Sequence, residues 1–245
     1  MPAERYYIES EIQPNLVVEL KNSEFHHLVH VMRSKKGDEV ELVNGKGSIG
    51  LAIINDLKKD KALLQIIKAE HHPSPPFRLI LAQAFPKPHR LDLILEKGTE
   101  LGVNEFWLFP GHHSAQKNWF PSNMDRAKSV TIAAMKQCGR LDLPQVCYLP
   151  ELSMDKWKDL QSTTPFFGDL STQACLFQSA WYKEASHKYP IVFAIGPEGG
   201  FSNEEEDILR NLGAIGVRLH ENILRTETAS IMAISLLSHW LLEKK

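Results

Sequence analysis

Three prolines in four residues, inside His71-His72-Pro73-Ser74-Pro75-Pro76, set the plan of this 245-residue chain. Proline fixes φ and lacks an amide hydrogen, so neither a helix nor a central strand continues through the stretch. The expected division is a small domain over residues 1–72 and a larger one over 77–245.

Before the prolines the apolar period is mostly two. Tyr6 to Ile8 reads as a short strand. Val40 and Leu42 alternate with Glu39 and Glu41, Asn44-Gly45 is a turn, Ile49, Leu51 and Ile53 alternate again, and Ala62 to Ile67 forms a third run. Ser23 is placed to cap a helix whose Phe25, Leu28, Val29 and Met32 share one face and which ends near Arg33. The expectation is a small β-barrel with one helix.

After the prolines the pattern changes to apolar runs separated by helical stretches. The runs are Leu79 to Ala84, Glu105 to Phe109, Val146 to Leu149, Pro165 to Phe167, Ile191 to Ile195 and Val217 to Leu219. Helices are expected from Arg90 to Leu101, closed by Gly102, and from Ser122 to Cys138. Strands alternating with helices imply a mostly parallel sheet covered on both faces. The last helix, Thr228 to Leu242, has ten apolar residues in fifteen, so it is either deeply buried or shared with a second subunit.

Charge and cysteine content narrow the function classes. The formal net charge is −2, so any nucleic-acid contact must come from a local patch rather than a global basic excess. Cys138, Cys147 and Cys175 form no CxxC pair, and the histidine pairs His26-His27, His71-His72 and His112-His113 lack HExxH or cysteine partners; no metal is expected. No run reaches the length of a membrane span, and MPAERYYIES lacks an apolar signal core, so the chain is read as cytoplasmic.

The segment IVFAIGPEGGFSNEEE, Ile191 to Glu206, begins as a buried strand, breaks on glycines and a proline, and restarts as a helix. Ser202 and Glu205 have capping-box spacing, which puts the glycines where the chain leaves the sheet. In open parallel sheets ligands lie beyond the carboxyl ends of strands. Phe201-Ser202-Asn203 is not the Lys-Ser or Lys-Thr of a phosphate loop, and the turn lies too late in the chain for a first-unit dinucleotide fingerprint. The turn is either a tight chain reversal or a loop whose backbone approaches a small molecule. Near the end of the chain, Arg225 precedes the polar cluster Thr226, Glu227 and Thr228 at the start of an apolar helix. Thr226 and Glu227 suit a helix N-terminus, whereas a cation there calls for an anionic partner.

These residues resemble the SPOUT-class 16S rRNA uridine-N3 methyltransferases of the RsmE type. The resemblance runs in order through HHLVHVMR (His26–Arg33) with KGDEVEL (Lys36–Leu42), Lys97 with Glu100-Leu101-Gly102-Val103, Gln137-Cys138-Gly139-Arg140, IGPEGGFS (Ile195–Ser202) and ILRTETA (Ile223–Ala229). It implies an α/β fold: a C-terminal SPOUT trefoil-knot methyltransferase domain with a small N-terminal PUA-like β-barrel. It also implies a homodimer, S-adenosylmethionine (SAM) as cofactor, and 16S rRNA, within the small ribosomal subunit, as partner. The cofactor positions it implies are Phe167, Ile195, Gly196, Gly199, Gly200, Leu219, Asn222, Ile223, Leu224, Thr228 and Ala229, with the glycines leaving space for the ligand. In this chemistry Glu198 is either the base for the uridine N3 proton or a turn carboxylate bonded to backbone amides. Arg225 would stabilise charge on the uracil oxygens, and Glu227 would orient Arg225. For RNA, Arg33, Lys35 and Lys36 are the expected contacts, with Lys117 and Arg140 nearer the active site. The plain alternative for the first three is a solvated basic turn at a helix C-terminus.

The sequence departs from the family pattern at Lys136, Gly168-Asp169, His220 and Asn222, which bears on the cofactor pocket. The rival readings are a knotted RNA-binding protein without catalysis and a methyltransferase acting on another RNA.

Overall fold

The computed structural model describes residues 4–74, 77–152, 157, 164–184 and 190–242. They divide into two compact units, Met1–Pro75 with Ile132–Leu143, and Pro76–Thr131 with Pro144–Lys245. Among the described residues no helix is long and apolar enough to cross a membrane.

The first unit contains β1 (Arg5–Tyr7), β2 (Val17–Lys21), α1 (Asn22–His26), β3 (Glu39–Val43), β4 (Ser48–Leu57) and β5 (Lys61–His71). The sheet order is β1-β3-β4-β5-β2, with β1 parallel to β3 and the other pairs antiparallel. Alternate residues Val40, Leu42, Ala52, Ile54, Ala62, Leu64 and Ile66 face one core with Tyr6, Leu20 and Leu28. The Asn44-Gly45 turn forms as expected: the Asn44 side-chain oxygen accepts from the Lys46 and Ser48 amides, and Gly45 has φ +67°. Strand β2 escapes the sequence pattern because it is an edge strand whose Val17 is exposed. Ser23 does not cap α1; the helix follows β2 directly through Asn22 at φ +53° and continues as a π turn over His27–Val31.

Lys136 finds its explanation in this unit. Its ammonium donates to Glu24 Oε1 at 2.6 Å, and Glu24 Oε2 accepts the Tyr7 amide at 3.2 Å. The lysine thus pairs with an acid that also anchors β1.

In the second unit the strands are β6 (Leu79–Ala84), β7 (Glu105–Phe109), β8 (Gln145–Tyr148), β9 (Phe166–Gly168), β10 (Cys175–Leu176), β11 (Ile191–Ile195) and β12 (Ile215–Arg218). All pair parallel in the order β10-β12-β9-β11-β6-β7-β8. The central strands β11, β6 and β7 are buried at every position, which is why they read as unbroken apolar runs rather than alternating ones. The helices are α2 (Pro88–Glu100), α3 (Pro121–Cys138), whose residues from Ile132 on belong to the first unit, α4 (Phe177–Glu184), α5 (Asn203–Asn211) and α6 (Thr226–Leu242). Gly102, at φ +91°, ends the chain reversal after α2. Helix α6 begins two residues earlier than its apolar pattern suggests, and the short β10 with α4 has no counterpart in the sequence reading.

Two apolar clusters cover the sheet. Leu81, Phe106, Phe193, Val217, Ile234 and Leu237 share one; Ile80, Trp107, Phe109, Phe167, Val192 and Leu209 share the other. Helix α6 contributes Ala233, Ile234, Leu237, Trp240 and Leu241 to the first, so most of its apolar surface is consumed within the chain.

Candidate functional site

Three neighbouring parallel strands, β12, β9 and β11, end on the same edge of the sheet, and the loops leaving them enclose a cavity of about 290 Å³. Gly168 to Leu170 follow β9, Ile195 to Gly200 follow β11, and Leu219 to Arg225 follow β12. Thr226 and Ala229 of α6 and Arg90 of α2 complete the wall. This is where a parallel sheet places a ligand, because no strand continues to fill the space beyond the carboxyl ends.

A buried polar network shapes the cavity floor. Thr226 Oγ1 donates to the Gly196 carbonyl at 2.7 Å, and the Ser230 hydroxyl donates to Gln83 Oε1 at 2.5 Å. Gln83 Nε2 lies 3.2 Å from Thr226 Oγ1 and donates to the Ala84 carbonyl at 2.8 Å. Gln83, Thr226 and Ser230 are all buried, so satisfying these groups fixes the glycine turn relative to the start of α6. Thr226 is therefore a tie to the turn rather than a helix cap. Ser202 and Glu205 form the expected reciprocal capping box, and Glu205 Oε1 also accepts the His112 amide at 2.8 Å.

The glycines serve the turn itself. A Cβ on Gly196 would stand 2.9 Å from Gly200 C and Phe201 N, one on Gly199 would stand 2.8 Å from His113 Cβ, and Gly200 has φ +73°. The turn itself therefore requires glycine, through the protein's own backbone at Gly196, His113 at Gly199 and the left-handed conformation at Gly200, while Gly196 and Gly200 also line the cavity as the ligand expectation has it.

Of the implied cofactor positions, Ile195, Gly196, Gly200, Leu219, Asn222, Ile223, Leu224 and Ala229 line the cavity, as do Glu198 and Arg225. Phe167, Gly199 and Thr228 do not. Phe167 is fully buried against Phe201 with the Arg210 guanidinium 4.9 Å over its ring, Gly199 abuts His113, and Thr228 is an exposed residue of α6.

Glu227 does not orient Arg225. It meets Arg90, whose Nη1 lies 3.3 Å from Glu227 Oε2 and 3.5 Å from Glu198 Oε1. The Lys87 amide, at the start of α2, donates to the same Glu198 oxygen at 3.1 Å. Arg90 thus links two segments more than a hundred residues away from it in sequence, a connection no local pattern announces. Arg90 Nε and Arg218 Nε are both buried without a hydrogen-bond partner among the described residues, and both side chains line the cavity. No side-chain partner is seen for the exposed Arg225 guanidinium among the described residues.

The remaining departures fit without closing the cavity. Asp169 accepts from Arg210 Nη2 at 3.0 Å and from the Ser171 amide at 2.7 Å, so its buried charge is neutralised. His220 Nδ1 accepts the Asn222 amide at 3.1 Å, turning the ring onto its own loop. Burial, reinforced by the Asp169 charge, raises the Glu206 carboxyl above the ordinary range despite the nearby Arg210.

Among the expected RNA contacts, Arg33, Lys35 and Lys36 are exposed around a reversal in which Arg33 has φ +57° and the Lys35 amide donates to Asp38 Oδ2 at 2.7 Å. Lys117 and Arg140 are employed internally. Lys117 Nζ donates to the Gly111 and His112 carbonyls at 2.7 and 2.6 Å, and Arg140, in the first unit, pairs with Asp142. Among the described residues no group of three or more His, Cys, Asp or Glu is placed to hold a metal ion.

Residues 73–238 match the family model of the RNA methyltransferase domain, and residues 20–67 that of the RNA methyltransferase PUA domain. The chain belongs to the RNA methyltransferase family. Within that family it is 30% identical to the ribosomal RNA small subunit methyltransferase E of Buchnera aphidicola subsp. Schizaphis graminum, over 95% of this chain and 94% of that protein. It is 26% identical to the protein of the same name in Bacillus subtilis strain 168, over 96% of each. Among solved structures, the ribosomal RNA small subunit methyltransferase E of Neisseria gonorrhoeae, bound to S-adenosyl methionine, matches with a TM-score of 0.81 at 26% identity and covers 98% of both chains. The expected α/β methyltransferase domain with a small PUA-like β domain is borne out by the RNA methyltransferase family match and by these neighbours.

Proposed function

We propose that this protein is an S-adenosylmethionine-dependent methyltransferase that modifies N3 of a uridine in 16S rRNA of the small ribosomal subunit. The observation that carries the reading is the convergence of the 196–200 turn and the 219–225 loop around one cavity, tied by Thr226 and Gly196. The cavity suits a nucleoside with an amino-acid tail. Ile195, Leu219, Leu224 and Ala229 offer apolar contact, loop backbone offers donors and acceptors, and the unpartnered Arg218 Nε offers a donor of the kind a carboxylate satisfies.

When bound, SAM supplies an electrophilic methyl group. The chain's own task is to hold uridine in line with it and to manage the N3 proton. Glu198 sits at the cavity rim with one oxygen engaged by the Lys87 amide and Arg90, leaving its other oxygen to accept the proton. Arg225, without a side-chain partner among the described residues, faces the charge that develops on the uracil oxygens. Arg90 holds Glu198 and Glu227 in place.

Residues 1–72 would grip the RNA through Arg33, Lys35 and Lys36, while residues 77–245 carry out the transfer. The protein would work in the cytoplasm as a homodimer. Ile223, 81% exposed, and Leu170, 60% exposed, are apolar residues of the cavity wall for which a second subunit is the natural cover. Calorimetry with SAM tests the reading: binding with defined stoichiometry is expected, and absence of heat would favour RNA binding without catalysis. Sedimentation should give twice the chain mass, and Ile223→Glu should lower it.

A further inference from the structure

Beyond the cavity, the same edge of the sheet carries an aromatic step that the proposed chemistry does not use. Phe85 follows β6, Tyr148 ends β8, and Trp119 lies in the segment between β7 and α3. Their rings are nearly parallel: Phe85 and Trp119 are 5.1 Å apart at 7°, Phe85 and Tyr148 6.1 Å at 5°, Trp119 and Tyr148 6.1 Å at 4°. Tyr148 is 38% exposed and the adjacent Phe120 is 55% exposed. Phe85 is 3% exposed and backs the step from the core, while the half-buried Trp119 and the exposed Tyr148 carry the same ring orientation to the surface, where another flat ring can continue the layer.

Two of the three segments that carry this step, those of Phe85 and Trp119, are fastened to the cavity turn. Lys87, two residues after Phe85, donates its amide to Glu198. The segment bearing Trp119 places His113 Nδ1 3.2 Å from the Gly200 carbonyl and its Cβ against Gly199, and the Ser114 hydroxyl donates to the Phe85 carbonyl at 2.8 Å. In these segments Lys87, Lys117, Arg126 and Lys128 outnumber Asp92 and Asp125, with Arg126 paired to Asp92 and Lys117 Nζ held by the Gly111 and His112 carbonyls, which leaves a local positive excess. A local positive surface interleaved with flat rings is the chemistry of single-stranded nucleic acid, whose bases stack and whose phosphates seek cations.

We infer that the Phe85–Trp119–Tyr148 step, with Phe120, is a stacking platform for an unpaired RNA base flanking the nucleotide held at the cavity. The inference rests on the proposed RNA substrate and adds a second contact to it, independent of the cofactor pocket. The platform explains how an acidic chain can hold RNA beside its reaction centre: stacking supplies affinity where net charge does not.

The tryptophans permit a direct test. Trp107, Trp157, Trp181 and Trp240 are each at most 9% exposed, and Trp119 alone of the five is half-buried at the surface. Titrating the full-length protein with a short single-stranded oligouridylate should quench its fluorescence saturably, and Trp119→Phe should remove that quenching. Tyr148→Ala with Phe120→Ala, both at exposed positions, should weaken oligonucleotide binding by about tenfold or more, as loss of one stacked base does. The calorimetric heat for SAM should stay unchanged. Undiminished RNA binding by the double variant, or quenching that survives Trp119→Phe, would overturn the platform while leaving the SAM-dependent reading intact. A wild-type chain that binds neither SAM nor RNA would sink both. A double variant whose oligomeric mass drops would show the surface to be a self-interface and overturn the inference.

Discussion

The hydroxyl of Thr226 donates to the carbonyl of Gly196 at 2.7 Å, and this bond joins the turn after β11 to the first turn of α6. Both groups lie in a buried setting, so the bond holds a wall of the cavity rather than decorating it. Thr226→Val keeps the shape and removes the donor, leaving the Gly196 carbonyl unpaired by that hydroxyl. Denaturant unfolding should show a loss of about 1–3 kcal/mol, the cost of leaving that buried carbonyl with only the longer contact from Gln83 Nε2 at 3.4 Å. SAM affinity should fall alongside. A variant as stable and as tight-binding as the parent would show that the tie is incidental.

Arg90 makes a different prediction, because it touches carboxylates on two segments and lines the cavity without closing it. Arg90→Met should keep the fold and most SAM affinity but lower turnover by about a hundredfold, since displacing a reacting group by an ångström costs that much. Glu198→Gln should cost about 10²–10⁴ in turnover if it takes the proton. Arg225→Ala should cost about 10²–10³ if it stabilises the uracil oxygens. Steady-state kinetics with calorimetry separates these effects from lost binding. Full activity in the Glu198 and Arg225 variants would remove both from the mechanism.

The contrast between Arg90 and the glycine turn explains what the sequence can and cannot disclose. Ile191 to Ile195, the glycines and the Ser202–Glu205 box lie within fifteen residues, and local sterics and capping decide their structure. Arg90 reaches Glu227 across 137 residues of chain, and the arginine sits in an ordinary amphipathic helix with no local mark of its role. Lys117 and Arg140 fail in the opposite sense. Both look like free cations in the sequence, yet nearby carbonyls and Asp142 occupy them. Strands β2 and β10 are short edge strands with exposed apolar positions, so alternation against a core is weak in them.

Arg33, Lys35 and Lys36 remain exposed and should act mainly through phosphate. Replacing all three with alanine should weaken RNA binding and reduce the salt dependence of log K by about 2, since each phosphate contact contributes about 0.7–0.9 to the slope. Lys117→Ala should instead loosen the loop it ties down and show mainly as lost thermal stability. A triple variant with an unchanged salt slope would exclude the first-unit reversal from the RNA interface.

Stability should depend on pH at the alkaline end through Tyr6. Burial, with Glu4 beside it, pushes its phenol up to about 12. The folded state then holds a proton that the unfolded chain releases near pH 10, so the stabilisation is present below about 10 and is lost as pH rises through about 12. Unfolding free energies from pH 8 to 12 should fall over that window, and Tyr6→Phe should flatten the fall. An equal slope in the variant would assign it to other groups.

The destination of the methyl group decides the assignment most directly. Small ribosomal subunits from cells lacking the gene, incubated with the purified protein and SAM bearing an isotopically labelled methyl group, can be digested and their nucleosides weighed by mass spectrometry. The expected result is labelled N3-methyluridine at a single position of the 16S rRNA, lost with Arg225→Ala. Unlabelled RNA, or label on another base, would contradict the assignment.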